Sequence, residues 1–223
     1  MRPTSRSCTR TLLGLAFAAA AFSPFAAFAQ NSDYERRIRP AASPTETLLA
    51  SFTGTANGST PMSSLVKSSS GLYYGVTSVG GTTNQGTLFC MTTAGVITNQ
   101  YTDPTPNSGP DVIVTGTGDG DLWFTEQFGT KIAQMTTAGV ITEYPVPTPS
   151  SQPGGLTVGT DDALWFTEHT GNQIGRLTLA GEITEYPVPT PASDPMVIEP
   201  GPDGALWFTE FYGNKIGRIT TPE

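Results

Sequence analysis

The sequence predicts an all-β protein of the β-propeller type, about four blades of four short strands each, and three observations carry that expectation. The phrase Leu122-Trp123-Phe124-Thr125-Glu126 returns as Leu164-Trp165-Phe166-Thr167-Glu168 and again as Leu206-Trp207-Phe208-Thr209-Glu210, with the tryptophans 42 residues apart each time. A constant period of about 40 to 45 residues belongs to propeller blades or helical arrays. Within each copy, short alternating runs rich in β-branched and aromatic residues are separated by turn signals, and the 3.6-residue apolar period of a helical repeat does not occur. Between copies, Pro187-Val188-Pro189-Thr190-Pro191 cannot continue a sheet, because proline donates no ladder hydrogen bond; it reads as the extended crossing to the next blade.

The copy over residues 152–191 shows the plan of a blade. Pro153-Gly154-Gly155 leads into a short run, Leu156-Thr157-Val158, and a turn at 159–162. A second strand is expected over 163–168, a third over 173–178 after the loop His169-Thr170-Gly171-Asn172, and a fourth over 182–186 after Ala180-Gly181. The turns Asp119-Gly120, Asp161-Asp162 and Asp203-Gly204 supply acceptors and positive-φ positions for tight reversals. Ala133, Gly175 and Gly217 stand at equivalent places on the third strand, where small residues are expected to leave room for the indole rings. The approximate blades are 61–106, 107–149, 150–191 and 192–223.

The first copy diverges. Gly71-Leu72-Tyr73-Tyr74-Gly75-Val76-Thr77-Ser78 replaces the tryptophan strand and a longer glycine-rich loop follows, but Met91-Thr92-Thr93-Ala94-Gly95-Val96-Ile97-Thr98 repeats almost letter for letter at 135–142, which fixes the register. The last copy stops before its fourth strand. Residues 45–52 read as an orphan strand that could pair with the last blade and close a four-blade ring; the competing expectation is an open arc of a larger propeller, completed by a second chain or belonging to a longer gene.

Ahead of the repeats, Arg2, Arg6 and Arg10 precede an apolar run over 12–28 that ends in Ala27-Phe28-Ala29, the pattern of a signal peptide cleaved before Gln30. Export to the periplasm or the medium is expected, with no membrane contact after cleavage and residues 30–44 as a linker. Removal of 29 of 223 residues leaves 194, with eight bases against nineteen acids. So acidic a chain without a basic cluster argues against nucleic acid and anionic membranes as partners. Cys90 is then the sole cysteine, so no intramolecular disulfide forms; its repeat slot is filled elsewhere by Gln134, Arg176 and Arg218, which predicts partial exposure.

The run Asp203-Gly204-Ala205-Leu206-Trp207-Phe208-Thr209-Glu210, with Gly213-Asn214-Lys215-Ile216-Gly217-Arg218-Ile219-Thr220 and Gly181-Glu182-Ile183-Thr184-Glu185-Tyr186, closely resembles the repeat of the streptogramin B lyase (virginiamycin B lyase) family over roughly residues 107–221. The region around residues 71–89 resembles a glycine-rich tandem repeat of secreted bacterial proteins. The resemblance implies a seven-bladed propeller that linearises a cyclic depsipeptide antibiotic by elimination across its ester, a carbon-oxygen lyase activity that confers antibiotic resistance, with Mg²⁺ and a histidine base. In the family that histidine follows the proline opening a blade; here those positions hold Asp111, Gly154 and Met196. A metal-binding glutamate precedes such a proline in the family, and Asp194 before Pro195 is the matching position.

In a repeat, residues present in every copy serve the blade, and a site needs residues that break the pattern. Glu126, Glu168 and Glu210 recur and are expected to accept backbone hydrogen bonds between blades; Arg176 and Arg218 recur as partners of nearby carboxylates. His169 breaks the pattern, with Gln127 and Phe211 at equivalent places, and as the sole histidine it is the candidate base. Phe211 and Tyr212 form a candidate aromatic rim for a ligand. Two functions follow: a binding module whose rim takes a small molecule, glycan or protein, alone or as a homo-oligomer, or a lyase of the family's type that relies on His169 and Asp194.

Overall fold

The computed structural model describes residues 45–54, 56–118 and 120–222, so the predicted signal peptide and linker lie outside the described residues. Residues 47–223 cluster as one unit. Four antiparallel sheets follow one another along it, and no helix occurs among the described residues.

The first sheet holds β1 (Ser59–Pro61), β3 (Tyr73–Val79), β4 (Thr87–Met91) and β5 (Ile97–Thr102) in that order, with β2 (Val66–Lys67) also on β3. The second holds β6 (Pro110–Thr115), β7 (Leu122–Glu126), β8 (Lys131–Met135) and β9 (Ile141–Pro145). The third holds β10 (Pro153–Val158), β11 (Leu164–Glu168), β12 (Gln173–Leu177) and β13 (Ile183–Pro187), and the last has only β14 (Pro195–Pro200), β15 (Leu206–Glu210) and β16 (Lys215–Ile219). Each is the meander expected of a blade. Prolines 110, 153 and 195 open β6, β10 and β14, a position where the missing N–H costs no ladder bond.

The core lies between blades. Trp123 and Ile132 of the second blade pack against Leu156, Leu164 and Phe166 of the third, and Trp165 and Ile174 of the third against Ile198, Leu206 and Phe208 of the fourth. On the fourth strand, Tyr144 stacks on Trp123 at 5.5 Å and Tyr186 on Trp165 at 5.6 Å between ring centroids. The turn acids behave as expected: Asp161 Oδ1 accepts the Trp165 indole N–H at 2.9 Å and its other oxygen the Arg176 guanidinium at 2.7 Å, and Asp203 repeats both contacts with Trp207 and Arg218. Asp162, Gly120 and Gly204 take the positive φ.

Four expectations are corrected. Residues 45–52 form no strand and complete no blade; instead Phe52 lies against Phe89 of the first blade at 4.8 Å, because a ring with an apolar surface within reach gains more by burial than an isolated strand does by waiting for an edge. Gly175 and Gly217 make room for phenylalanine: a Cβ there would overlap the rings of Phe166 and Phe208, their cross-strand partners. Cys90 is buried, since its blade places the short thiol against Thr98 Oγ1 at 2.9 Å where the other copies extend long polar chains outward. Both carboxylate oxygens of Glu126 and of Glu168 are buried without a hydrogen-bond partner and so bridge nothing between blades. The tight turns after β7 and β11 fold Gly129 and Gly171 down onto these carboxylates.

The arc ends on an uncovered face. Trp123 and Trp165 are 2% and 0% exposed, whereas Trp207 is 43% exposed, alongside Val197 and Ile216.

Candidate functional site

The site builds from the junction of the third and fourth blades. The chain leaves β11 at Glu168 and turns through His169, Thr170 and Gly171 to Asn172, whose φ of 56° lets it reverse. The His169 N–H donates to Gln152 O at 3.1 Å, tying the loop to the residue before Pro153. Asn172 then acts as a clamp. Its amide nitrogen donates to Val188 O and Thr190 O at 3.1 and 3.0 Å, and its Oδ1 accepts from Ser193 N and Oγ at 2.7 and 2.9 Å. That fixes the incoming crossing so that Asp194, at φ 53°, points at the loop, with its own carbonyl accepting the Phe211 N–H at 3.0 Å. Sequence reading missed Asn172, although an Asn recurring at a positive-φ turn position (Asn214 is its counterpart) is a readable signal.

His169 Nδ1 lies 3.2 Å from Asp194 Oδ1, with the two side chains only 12% and 20% exposed. The other edge of the imidazole lies over Gly154: a Cβ on Gly154 would overlap Nε2. The glycine that follows serves a different purpose, since a Cβ on Gly155 would strike the Met196 carbonyl of the neighbouring blade. Burial pushes the Asp111 carboxyl above its ordinary value, and His169 works against that shift. Thus the position after one blade-opening proline, Gly154, packs against a ring that comes from a different loop. A groove of about 430 Å³ opens beside it, lined by His169, Asp194, Gln152, Asn172 and Tyr212 among others. That volume suits a small ligand. Of the candidates, His169, Asp194 and Tyr212 are brought together; Phe211 does not line the groove and packs edge-on against Tyr212 at 4.9 Å, both rings exposed.

Mg²⁺ fits this groove poorly. Asp194 and His169 engage each other, and the sole set of three donors lying close together among the described residues is elsewhere, where Asp103, Glu126 and Glu143 bring carboxylate oxygens within 4.8 Å of one another. In that cluster burial, followed by the facing acids, pushes Glu126 up to about 9, and burial pushes Asp103 up to about 6. No helix of the described residues is long and apolar enough to cross a membrane.

Comparison with known proteins agrees with the repeat. The virginiamycin B lyase family profile matches residues 73–223, reaching into the divergent first blade. Among solved structures, virginiamycin B lyase from Staphylococcus aureus is 47% identical with a TM-score of 0.64 over 70% of this chain and 51% of that one. A catalytically inactive variant of that lyase, solved with quinupristin, is 42% identical with a TM-score of 0.65 over 72% of this chain and 52% of its own. A streptogramin B lyase is 34% identical with a TM-score of 0.56, covering 74% and 66%. The chain thus spans about half the length of the Staphylococcus aureus enzyme. No match was found among curated protein sequences. With the profile covering well over half of the residues and a solved member 47% identical over 70% of the chain, this chain belongs to the virginiamycin B lyase family.

Proposed function

We propose that this chain is an exported propeller protein whose groove at the third and fourth blades carries out base-initiated elimination on an ester-bearing peptide of the streptogramin B class. The observation that carries the reading is the His169 imidazole over Gly154. The family resemblance expects a histidine after a blade-opening proline, Gly154 is one of the three such positions here, and the His169 ring from the loop after β11 fills the space a side chain on Gly154 would take.

The chemistry follows from the pair. In this reading Asp194 Oδ1, 3.2 Å from Nδ1, favours the tautomer that carries its proton on Nδ1 and leaves a free lone pair on Nε2. Nε2 takes a proton from the carbon α to a carbonyl; that electron pair forms a carbon-carbon double bond to the carbon bearing the ester oxygen, whose bond breaks to release a carboxylate. His169 is the catalytic residue and Asp194 its positioning residue. Tyr212 and Phe211 give an apolar rim on which a macrocycle can rest.

The test is incubation of the purified chain with a streptogramin B depsipeptide, following the cyclic form by chromatography and mass spectrometry. Ring opening by the wild type and at least a hundredfold less by His169→Ala would support the reading. Turnover undiminished in His169→Ala would end it. A second reading, a binding module, is favoured by the exposed Phe211–Tyr212 pair: there the depsipeptide or another ligand binds, Tyr212→Ala weakens it, and nothing is opened. Export is checked by N-terminal sequencing of the mature protein, expected to begin at Gln30.

A further inference from the structure

We propose that Asp103, Glu126 and Glu143 form a binding site for one divalent cation of the calcium type at the junction of the first two blades, separate from the His169 groove. Asp103 directly follows β5, Glu126 ends β7 and Glu143 lies in β9, so three segments distant in sequence converge on one point. Their oxygens lie within 4.8 Å of one another. Ligands on opposite sides of a calcium ion, each at about 2.4 Å, stand about 4.8 Å apart, so a single ion can touch all three.

What the donors already do leaves the centre of the cluster unengaged. Glu143 is held at the rim, with Oε2 on Lys131 Nζ and Oε1 on Thr105 Oγ1, each at 2.6 Å. Asp103 is fully buried; Oδ1 accepts the Thr105 N–H at 2.9 Å and Oδ2 is buried with no partner. Glu126 is fully buried, and its oxygens meet no hydrogen-bond donor other than the facing Glu143 carboxyl. Three carboxylates meet one ammonium, so the ionised cluster carries two unbalanced negative charges. A divalent cation matches that charge, whereas without one a buried carboxyl lacking a cationic partner is kept neutral by holding its proton.

The repeat supplies its own control. At the next junction Glu168 and Glu185 stand where Glu126 and Glu143 do, but Gln173 replaces Lys131 and Val146 replaces Asp103. At the third, Val188 fills the slot. Glu185 there is fully used by Thr148, accepting its N–H at 2.8 Å and its hydroxyl at 3.0 Å. The third acid is therefore no part of what a blade needs: it exchanges a buried valine for a buried carboxylate at one junction alone. Hard oxygen donors from three carboxylates suit calcium, whose coordination is flexible, better than magnesium, which demands a near-ideal octahedron and retains several of its waters.

The test is thermal unfolding of the chelator-treated full-length protein, alone and with calcium or magnesium chloride, together with terbium luminescence sensitised from Trp123 on β7. The wild type should gain roughly 5–10 °C at a hundredfold excess of calcium over its dissociation constant, respond less to magnesium, and show terbium emission that calcium displaces. Asp103→Val, which installs the residue of the other junctions, should melt no lower than the chelated wild type and lose both responses. Glu185→Gln at the second junction should keep them. An unchanged melting temperature of the wild type at about 10 mM calcium with no terbium signal would overturn the proposal, since that is well above the ~10⁻³ M of the weakest calcium modules. A calcium response retained in Asp103→Val, or one matched by magnesium, would also overturn it.

Discussion

Two tryptophans in identical phrases, one covered by a blade and the other not, make a matched pair of substitutions. Trp165 and Trp207 donate their indole N–H to Asp161 and Asp203 at 2.9 and 3.0 Å, and those acids hold Arg176 and Arg218 at 2.7 Å in both cases. The polar contacts therefore cancel. What differs is that Trp165 is 0% exposed and stacks on Tyr186 at 5.6 Å, while Trp207 is 43% exposed and has no fourth strand beside it. An indole side chain offers up to about 250 Å², so the uncovered share is about 110 Å², or about 3 kcal/mol at 25–30 cal/mol/Å². Stacking adds about 0.5–1.5 kcal/mol. Trp165→Ala should thus cost about 5 kcal/mol and Trp207→Ala about 1 kcal/mol, a gap of roughly 8–16 °C in melting temperature for a domain of this size. Urea unfolding followed by far-ultraviolet circular dichroism at micromolar protein reads both variants against the wild type. Equal costs would refute the reasoning, and a Trp207→Ala cost that grows with protein concentration would show that a second copy covers the face.

Three further outcomes are expected. Burial, then the charge of Glu185, raises the Glu168 carboxyl to about 7, so the folded state holds this proton more tightly than the unfolded chain does. That contribution is present below the ordinary carboxylate value near 4.5 and is lost as pH rises through about 7. Glu168→Gln should therefore be close to neutral at pH 4 and stabilise by about 3 kcal/mol at pH 8, and a difference that stays constant across that range in urea titrations would contradict it. Gly154→Ala should expel the His169 ring from its seat and abolish ring opening while leaving the melting temperature within a few degrees; full activity would show that the ring acts from elsewhere. Gly175→Ala should cost about 1–3 kcal/mol by driving a methyl into the Phe166 ring, measured by thermal unfolding, and an unchanged stability would mean that the ring has room to turn.

The blade was legible because its signals are local and repeated. Proline, glycine and aspartate punctuation together with the alternating phrase Leu-Trp-Phe-Thr-Glu place strands to within a residue or two, since each strand pairs with its neighbour in sequence. Reasoning failed where a residue answers to something far along the chain. Residues 45–52 alternate like a strand, yet whether they pair or pack depends on Phe89, nearly forty residues away. Gly175 was read against tryptophan because both recur, whereas register sets it opposite Phe166. Cys90 was read from the polarity of its counterparts, and its own blade buries it.

The same distinction separates the two sites. His169 stood out as a break in the period, but its meaning required a second break, Gly154, fifteen residues earlier, and a third, Asp194, on the next blade. Each alone is unremarkable: a loop histidine, a glycine at the start of a strand, an acid at a turn. A propeller makes them one site because the 2–3 loop of one blade, its own first strand and the crossing to the next blade meet at the same end of the sheet. Asp103 obeys the same rule at the first junction, where a valine slot becomes an acid beside a glutamate that the three later blades share. Aligning the copies and then asking which breaks fall at one junction is thus a stronger filter than asking which residues are chemically able. It selects His169, Gly154 and Asp194 together, and it leaves out the recurring Arg176 and Arg218, which the turns Asp161 and Asp203 already engage.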